Sequence, residues 1–282
     1  MKPKSLHDAF DWSQYERVVV LSPHLDDAAL SCFGLLNDLR GQVSRLVITI
    51  CCGNPAPAPV WGEEEKFRHN PDLDDYGTPS QRRLEDVAAM NALGCDFVHL
   101  GFEDGIYRRS PTSGDYIYRT TREKFVRPRI EDASHIEELF LVLRRLCQNM
   151  GRLLLVAPMS IGYHVDHSIT THNALRLESE EVELLFYEDF PYVLDPSYSA
   201  GFQDAPKKAL DRLGLVEQGC FYVAFDPQDK AELIQHYTSQ VPILFEDDDN
   251  LRSALSTRTH DGVAAEFYWT ARRRSKPELD DN

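Results

Sequence analysis

The 282-residue sequence has no run of apolar residues that approaches the ~20 needed to cross a bilayer. Its first segment, MKPKSLHDAFDWSQYE, contains no apolar core of the kind found in secretory signal peptides. Six cysteines are present, but none has the spacing of a zinc finger, so we expect buried thiols in a reducing compartment. These absences argue against a membrane-inserted protein and a disulfide scaffold, and they predict a cytoplasmic location.

Positive charge is scarce. The 30 Lys and Arg residues are outnumbered by 46 Asp and Glu residues, which gives a formal net charge of −16 at pH 7. A field of this sign repels nucleic acid and anionic membrane surfaces at long range, so we expect neither as a partner. The expected partner is a small molecule that is neutral or cationic.

Short apolar runs alternate with segments of helical spacing. The predicted strands cover residues 17–22, 43–52, 96–100, 152–158, 184–187 and 221–225. The predicted helices cover residues 27–40, 80–94 and 134–150. The first strands show no polar alternation, which is typical of strands buried on both faces of a parallel sheet. The pattern predicts a doubly wound, Rossmann-like α/β fold with a mostly parallel sheet, helices on both faces and a C-terminal extension that adds strands.

We expect one domain over residues 1–271, followed by a charged C-terminal tail over 272–282. The long stretch 53–79 has no predicted helix or strand. Connections of this length in compact domains are usually functional or mobile. The indole of Trp61 could stack on a sugar ring, so two interpretations of this stretch stand equally: a lid over the sugar and a disordered insertion.

Histidine and aspartate follow two of the predicted strands, at the positions where ligands bind in open α/β sheets. The first strand is followed by PHLDD at 23–27, and the fourth by GYHVDH at 162–167. Imidazole and carboxylate groups are zinc ligands, and three of them with a water form a catalytic zinc site. Each motif also has an ordinary interpretation, because Asp26 or Asp27 could cap a helix and the two histidines could be surface residues. Their coincidence at two strand ends favours a metal site with groups left over for proton transfer.

The segments SPHLDDAALS at 22–31 and GYHVDH at 162–167 resemble the PIG-L/LmbE family of zinc-dependent deacetylases. Members of this family remove acyl groups, usually acetyl, from the amino group of N-acetylglucosamine-containing molecules. The similarity extends to LGFEDGIYR at 100–108, FYEDFPY at 186–192, YTSQ at 237–240 and EFYW at 266–269. The sequence departs from the family pattern at Ala28, where Glu is common, and at Gly162, where some members have a Tyr that helps to bind the oxyanion.

The resemblance implies His24, Asp27 and His167 as the ligands of one Zn²⁺ per chain, although Fe²⁺ and Co²⁺ suit the same donors. It also implies Asp26 as the general base. His164 would donate a proton or a hydrogen bond to the developing oxyanion, with Asp166 orienting it and holding it cationic.

Polar residues in predicted strand ends and in family-like segments are candidates for hydrogen bonds to the substrate. They are Arg82 or Arg83, Asp104, Tyr107, Arg108, Glu188 and Asp189. For the two arginines the alternative is ion pairing within their own helix, and for the last two residues it is a solvated turn.

The predicted function is metal-dependent hydrolysis of the amide of an N-acyl amino sugar. One alternative is a metal-dependent hydrolase of another bond, such as a phosphoester, because zinc also polarises phosphoryl oxygens. The other is a non-catalytic sugar-binding protein with the same fold. Asp26 and His164, which zinc binding alone does not require, argue against the binding protein.

Overall fold

The computed structural model describes residues 2–54, 77–195 and 204–274 of the chain. The strands are β1 (Lys4–Ser5), β2 (Arg17–Ser22), β3 (Ser44–Thr49), β4 (Asp96–His99), β5 (Leu153–Pro158), β6 (Val182–Tyr187), β7 (Leu215–Ala224), β8 (Thr259–His260) and β9 (Val263–Arg273). The helices are α1 (Leu6–Ala9), α2 (Asp27–Asp38), α3 (Pro79–Leu93), α4 (Ala133–Cys147), α5 (Val165–Leu177), α6 (Ala205–Arg212), α7 (Pro227–Ile234), α8 (Val241–Phe245) and α9 (Asp248–Leu255). Within these ranges no helix combines the length and apolar character that a membrane span requires.

The strands of the described ranges form one sheet in the order β1-β7-β9-β6-β5-β2-β3-β4, with β8 paired to β9. The five strands from β6 to β4 in this order run parallel to one another. Strand β9 runs antiparallel to both β6 and β7. The predicted mostly parallel α/β sheet is therefore confirmed, and the C-terminal strands extend it with antiparallel pairs.

The sheet order reverses between β2 and β5. After β2 the chain adds β3 and β4 on one side, and it then places β5 on the other side of β2. Such a reversal leaves a crevice at the carboxyl ends of the two central strands, which is where ligands bind in open α/β sheets. The two His-Asp motifs follow β2 and β5, so both lie at this crevice.

The central strands are buried on both faces. In β2, Val19 and Leu21 pack into one apolar cluster with residues of α4 and α5. Val18 and Val20 pack into a second cluster with residues of α2 and α3 on the opposite face. Both sides of the strand thus contact helices, which explains why its sequence lacks polar alternation.

Several boundaries differ from the sequence-based expectation. Helix α3 begins at Pro79 instead of residue 80, because Thr78 caps it by accepting a hydrogen bond from the Gln81 N–H at 3.2 Å. Strand β3 ends at Thr49, and Cys51 forms only an isolated bridge with Gly101.

The predicted lid and tail are only partly described. Residues 55–76, which include Trp61 and most of the stretch 53–79, lie outside the described residues, so both interpretations of this stretch remain predictions. Strand β9 continues to Arg273, two residues into the predicted tail, because Arg272 and Arg273 pair with Val216 and Leu215 of β7. The remainder of the tail from residue 275 is outside the described residues.

Candidate active site

The loop after β2 brings a His and two Asp side chains into the crevice. The hydroxyl of Ser22 accepts a hydrogen bond from the Ala28 N–H at 3.0 Å and so satisfies a backbone donor of the first turn of α2. Asp26 occupies the N-cap position, but its side chain makes no capping hydrogen bond. The carboxylate of Asp26 instead lines the cleft, so the capping interpretation of this residue is wrong.

Asp27 lies between the two imidazoles predicted as metal ligands. Its Oδ2 atom is 3.2 Å from Nδ1 of His24 and 3.3 Å from Nε2 of His167. Two ligands of a tetrahedral zinc ion, each bound at about 2.0–2.2 Å, lie about 3.3–3.6 Å apart. Nε2 of His167 is buried and has no hydrogen-bond partner among the described residues. Asp27 Oδ2 therefore lies at a ligand-to-ligand distance from each imidazole nitrogen, and Nε2 of His167 offers a lone pair that a cation would satisfy.

The outer nitrogen of each of these imidazoles contacts a carboxylate. Asp166 Oδ2 is 3.1 Å from Nε2 of His24, and Asp189 Oδ1 is 2.6 Å from Nδ1 of His167. Carboxylates in this position fix the tautomer and orientation of metal-binding histidines. Sequence reasoning placed Asp189 among the possible sugar contacts and missed this role, because nothing in the sequence shows which nitrogen of His167 it meets.

Negative charge around the two imidazoles outweighs the effect of their burial. Burial lowers the pKa of His24, but Asp104, Asp166 and Asp27 together raise it to about 9. The pKa of His167 is likewise raised well above its usual value despite burial, chiefly by Asp27 and Asp189. A buried pocket that stabilises cationic imidazoles is also suited to a metal cation in their place.

Two further donor groups overlap with this one. Their ligand atoms lie within 4.8 Å of one another, and the groups are His24 with His164 and His167, and His24 with Asp104, His164 and Asp166. Both include His164, whose Nδ1 accepts a hydrogen bond from the Asp166 N–H at 3.3 Å. Because Nδ1 accepts this bond, the neutral His164 ring carries its proton at Nε2 and offers no lone pair to a metal, so we favour the set of His24, Asp27 and His167.

His164 differs from the sequence-based expectation. It is the N-cap residue of α5, and the hydrogen bond accepted by its Nδ1 requires a neutral ring with its N–H at Nε2. Burial, together with the charge of His24, holds the pKa of His164 well below its usual value. Asp166 Oδ2 is 3.7 Å from this ring but 3.1 Å from His24. The expectation that Asp166 holds His164 cationic is therefore not met, because Asp166 orients His24 instead.

Asp26 faces the cleft beside a cation. Its Oδ2 atom is 3.5 Å from Nη2 of Arg82. Burial raises the pKa of Asp26 to about 6, while Arg82 opposes the shift and Asp27 adds to it. A carboxyl group that titrates near neutrality can both accept and return a proton at physiological pH.

Of the predicted substrate contacts, Arg82 and Asp104 line the cleft. Arg108 does not line the cleft, and its side chain is buried against carboxylates of the protein. Glu188 does not line it either, and it accepts hydrogen bonds from Arg258 and from the indole of Trp269. Tyr107 is half-buried and is not among the residues that line the cleft.

The cleft also includes residues to which sequence reasoning assigns no role: Leu30, Lys124, Phe125, Phe190, Pro191, Tyr192, Gln240 and Leu244. Buried Lys124 ends a short 3-10 turn, and Gln240 precedes α8. Neither follows a strand of the parallel sheet, so reasoning from strand ends could not find them. Gln240 lies in the YTSQ segment, which the family resemblance had marked without a role.

Gly162 gives Tyr192 room beside the histidines. Its φ angle is +85°, and a Cβ atom there would lie 3.0 Å from both Cβ and Cγ of Tyr192. The Tyr192 ring packs edge-on against His167 at 5.6 Å and against Phe125 at 6.0 Å. The departure at Gly162 is thus accompanied by a tyrosine from another loop.

Comparison with known proteins places this site in a family. The model of the PIG-L family, GlcNAc-PI de-N-acetylase, matches residues 19–177, which include both His-Asp motifs. The 2'-N-acetylparomamine deacetylase of Niallia circulans is 34% identical over 188 residues, which cover 61% of this chain and 66%, just under two thirds, of that protein. The 2'-N-acetylparomamine deacetylase of Streptomyces fradiae is 27% identical over 269 residues, covering 90% of this chain and 81% of that one.

A solved structure extends the similarity to nearly the whole chain. It is a deacetylase of the teicoplanin biosynthesis pathway, with a TM-score of 0.72 and 25% sequence identity. The superposition covers 94% of this chain and 100% of that one. The similarity therefore includes the C-terminal strands that lie beyond the family match.

Proposed function

The chain belongs to the PIG-L family, and on that premise we propose that it is a metal-dependent N-deacetylase. Its substrate would be an N-acyl amino sugar conjugate, with acetyl as the acyl group. Two relatives named 2'-N-acetylparomamine deacetylase and a structural neighbour, a deacetylase of the teicoplanin biosynthesis pathway, support this class of substrate. The crevice at the β2 and β5 ends, with its His and Asp donors, supports the class of reaction.

The metal would be held by His24, Asp27 and His167. Two nitrogens and one carboxylate oxygen form a donor set suited to Zn²⁺, and Fe²⁺ and Co²⁺ accept the same donors. When bound, such a cation polarises a carbonyl group and lowers the pKa of water. The rest of the reaction depends on groups that the chain itself supplies.

Asp26 is the proposed general base and, afterwards, the general acid. Its carboxylate would take a proton from the water that attacks the amide carbonyl. The same proton would then pass to the nitrogen of the sugar, so that the C–N bond breaks and a neutral amine leaves. A pKa near 6 allows both transfers, and the Arg82 cation at 3.5 Å favours the ionised base before attack.

His164 is the proposed donor to the oxygen that develops negative charge. The hydrogen bond from the Asp166 N–H to Nδ1 keeps the ring in one orientation and leaves the proton at Nε2. A donor held in place before the reaction stabilises the transition state without reorganisation. A neutral imidazole suffices for this role, and burial favours that state.

The remaining polar residues of the cleft would bind the sugar. Arg82 and Asp104 flank the proposed base and the proposed metal ligands, and Lys124 and Gln240 lie in the same cleft. Together they offer donors and acceptors for hydroxyl groups. The aromatic pair of Phe125 and Tyr192 provides flat apolar surface on which pyranose C–H groups can pack.

The observation that carries the proposal is the position of Asp27 between two imidazoles whose outer nitrogens both contact carboxylates. The test combines elemental analysis of freshly purified protein with a mass-spectrometric screen of N-acetylated amino sugars for loss of acetyl. We expect about one divalent metal per chain and release of acetate. Asp26→Asn should keep the metal and lose about 10²–10⁴-fold in turnover.

The alternatives give different results in the same experiment. Metal binding with phosphoester cleavage and no loss of acetyl would indicate a hydrolase of another bond. Sugar binding without turnover, unchanged in Asp26→Asn, would indicate a binding protein. Stoichiometric metal in a His24→Ala, His167→Ala double variant would contradict the proposed ligands.

A further inference from the structure

Arg108 is buried outside the cleft and connects two carboxylates. It lies in the loop after β4, with 4% of its surface exposed. Its Nε atom is 2.8 Å from Oδ1 of Asp132, and its Nη1 atom donates a hydrogen bond to Oδ1 of Asp166. Asp132 is fully buried and also accepts a hydrogen bond from the hydroxyl of Tyr118. The guanidinium group is therefore held in place by a carboxylate on each side.

Asp166 passes this restraint to His24. While Oδ1 accepts from Arg108, Oδ2 accepts from the Gly105 N–H at 2.9 Å and lies 3.1 Å from Nε2 of His24. For His24 to donate to this oxygen, its proton must be at Nε2. Nδ1 is then left with a lone pair, and this is the nitrogen that lies 3.2 Å from Asp27.

We propose that Arg108 is a positioning residue of the metal centre, which holds Asp166 so that Asp166 sets the tautomer and orientation of His24. The inference rests on the proposed metal site. It makes the loop after β4, which supplies no metal ligand in our assignment, a determinant of metal affinity. Carboxylates behind metal-binding histidines commonly contribute 10–100-fold in metal affinity.

The positive charge of Arg108, considered alone, predicts the opposite effect on metal affinity. A guanidinium group close to the site repels a bound cation, so its removal would tighten metal binding if Arg108 acted only through its charge. If Arg108 acts through the geometry of Asp166, its removal weakens binding. Arg108→Lys separates the two effects, because lysine keeps the charge but cannot form the two-sided contact of the guanidinium fork.

The experiment measures the affinity of the purified protein for Zn²⁺ alone, by competition with a chelator, below the unfolding temperature of every variant. We expect Arg108→Lys to weaken Zn²⁺ binding by about 10–100-fold. Arg109→Lys is the matched control, because the neighbouring Arg109 contacts Tyr116 at the surface and not Asp166. Unchanged or tighter Zn²⁺ binding in a folded Arg108→Lys variant would overturn the proposal.

A double-variant comparison tests the route through Asp166. Arg108→Lys and Asp166→Asn act on the same histidine, so the double variant should bind Zn²⁺ about as weakly as the weaker single variant. Arg108→Lys and Asp189→Asn act on different histidines, so their effects should multiply. If the first pair multiplied as well, Arg108 would not act through Asp166.

Asp132→Asn provides a second test of the proposal if the Arg108→Lys variant does not fold. It releases the other side of the guanidinium and should weaken Zn²⁺ binding in the same direction. Absorption of Co²⁺ bound to the variants reports the ligand geometry without substrate, and we expect a changed spectrum in Arg108→Lys. Because these readouts involve no deacetylation, the proposal can fail while the deacetylase assignment stands, and the reverse.

Discussion

Asp189 Oδ1 lies 2.6 Å from Nδ1 of His167, while the other oxygen of Asp189 accepts a hydrogen bond from the Ile161 N–H at 2.8 Å. The carboxylate thereby ties the end of β6 to the loop after β5. His167 is left with Nε2 as its only available nitrogen, and that atom lies beside Asp27. The strand ends of the sheet thus fix the tautomer of a proposed metal ligand.

Asp189→Asn should weaken Zn²⁺ binding by about 10–100-fold, because an amide is a poorer acceptor for the His167 N–H and does not favour one tautomer as strongly. Chelator competition measures the effect. Glu180→Gln, at an exposed position, serves as the control. Equal Zn²⁺ affinity in Asp189→Asn and wild type would show that this contact has no part in metal binding.

Arg82→Gln should move the acid limb of the pH profile to higher pH. The proposed base must be ionised, so activity rises as pH increases through the pKa of Asp26, which burial raises to about 6. Arg82 lowers that pKa, and its removal therefore raises it. The profile of kcat/KM against pH measures the shift. We compare the pH at which the acid limb falls, because the height of the profile also depends on substrate binding.

Arg83→Gln is the control for this experiment. Arg83 contacts Asn54 and Ser80 and not Asp26, so its removal should leave the limb in place. If the acid limb of Arg82→Gln lies at the same pH as in wild type, or at lower pH, Asp26 is not the group whose ionisation controls the rate.

Gly162→Ala should reduce both stability and turnover. A non-glycine residue at φ +85° costs about 1–3 kcal/mol of folding free energy. The new Cβ would also press on Tyr192 at 3.0 Å and displace its ring from His167. Gly214→Ala is matched in strain, because its φ angle is +70°, but its Cβ would meet no atom within 4 Å.

Comparison of the two alanine variants isolates the effect of Tyr192. Both should unfold at lower urea concentration, whereas only Gly162→Ala should lose turnover. Equal kcat values in the two variants would show that the position of Tyr192 beside His167 does not affect turnover.

The fold and the proposed ligands could be predicted from the sequence because both depend on local pattern. The run at 17–22 has no polar alternation, and PHLDD follows it directly, so one segment indicates a buried strand and the donors at its end. The family resemblance then assigned roles within these motifs. The family and the fold are confirmed, whereas the residue roles, the single domain and the cytoplasmic location remain predictions.

Contacts between distant segments could not be predicted in the same way. Arg108 forms a buried ion pair with Asp132, 24 positions away, and Glu188 forms a partly buried one with Arg258, 70 positions away. A single sequence does not show which carboxylate an arginine will meet. For the same reason the sequence does not show that Asp166 contacts His24 and not His164, because Asp166 and His24 are 142 positions apart.

Lys230 and Glu266 form a buried ion pair beneath the helix that begins with the proposed ligand Asp27. Lys230 Nζ is 2.7 Å from Glu266 Oε1, and Lys230 is 1% exposed. Glu266 Oε2 accepts hydrogen bonds from the Tyr268 hydroxyl at 2.7 Å and from the Gly34 N–H at 3.0 Å. The second bond lies where α2 departs from helical geometry. Glu266 therefore supports the interrupted helix, and Lys230 neutralises Glu266.

Lys230→Met should lower the free energy of unfolding by about 3–5 kcal/mol, because it leaves the Glu266 carboxylate buried without a counter-charge. Urea denaturation measures the loss, with the exposed Lys207→Met as the control. In the Lys230→Met, Glu266→Gln double variant no charge remains to be neutralised, while the amide oxygen can still accept from Gly34 and Tyr268. The double variant should therefore be more stable than Lys230→Met alone. If it were less stable, the hydrogen bonds of the Glu266 carboxylate to Gly34 and Tyr268 would outweigh the cost of its buried charge, and the stability lost in Lys230→Met would not come from an unneutralised Glu266.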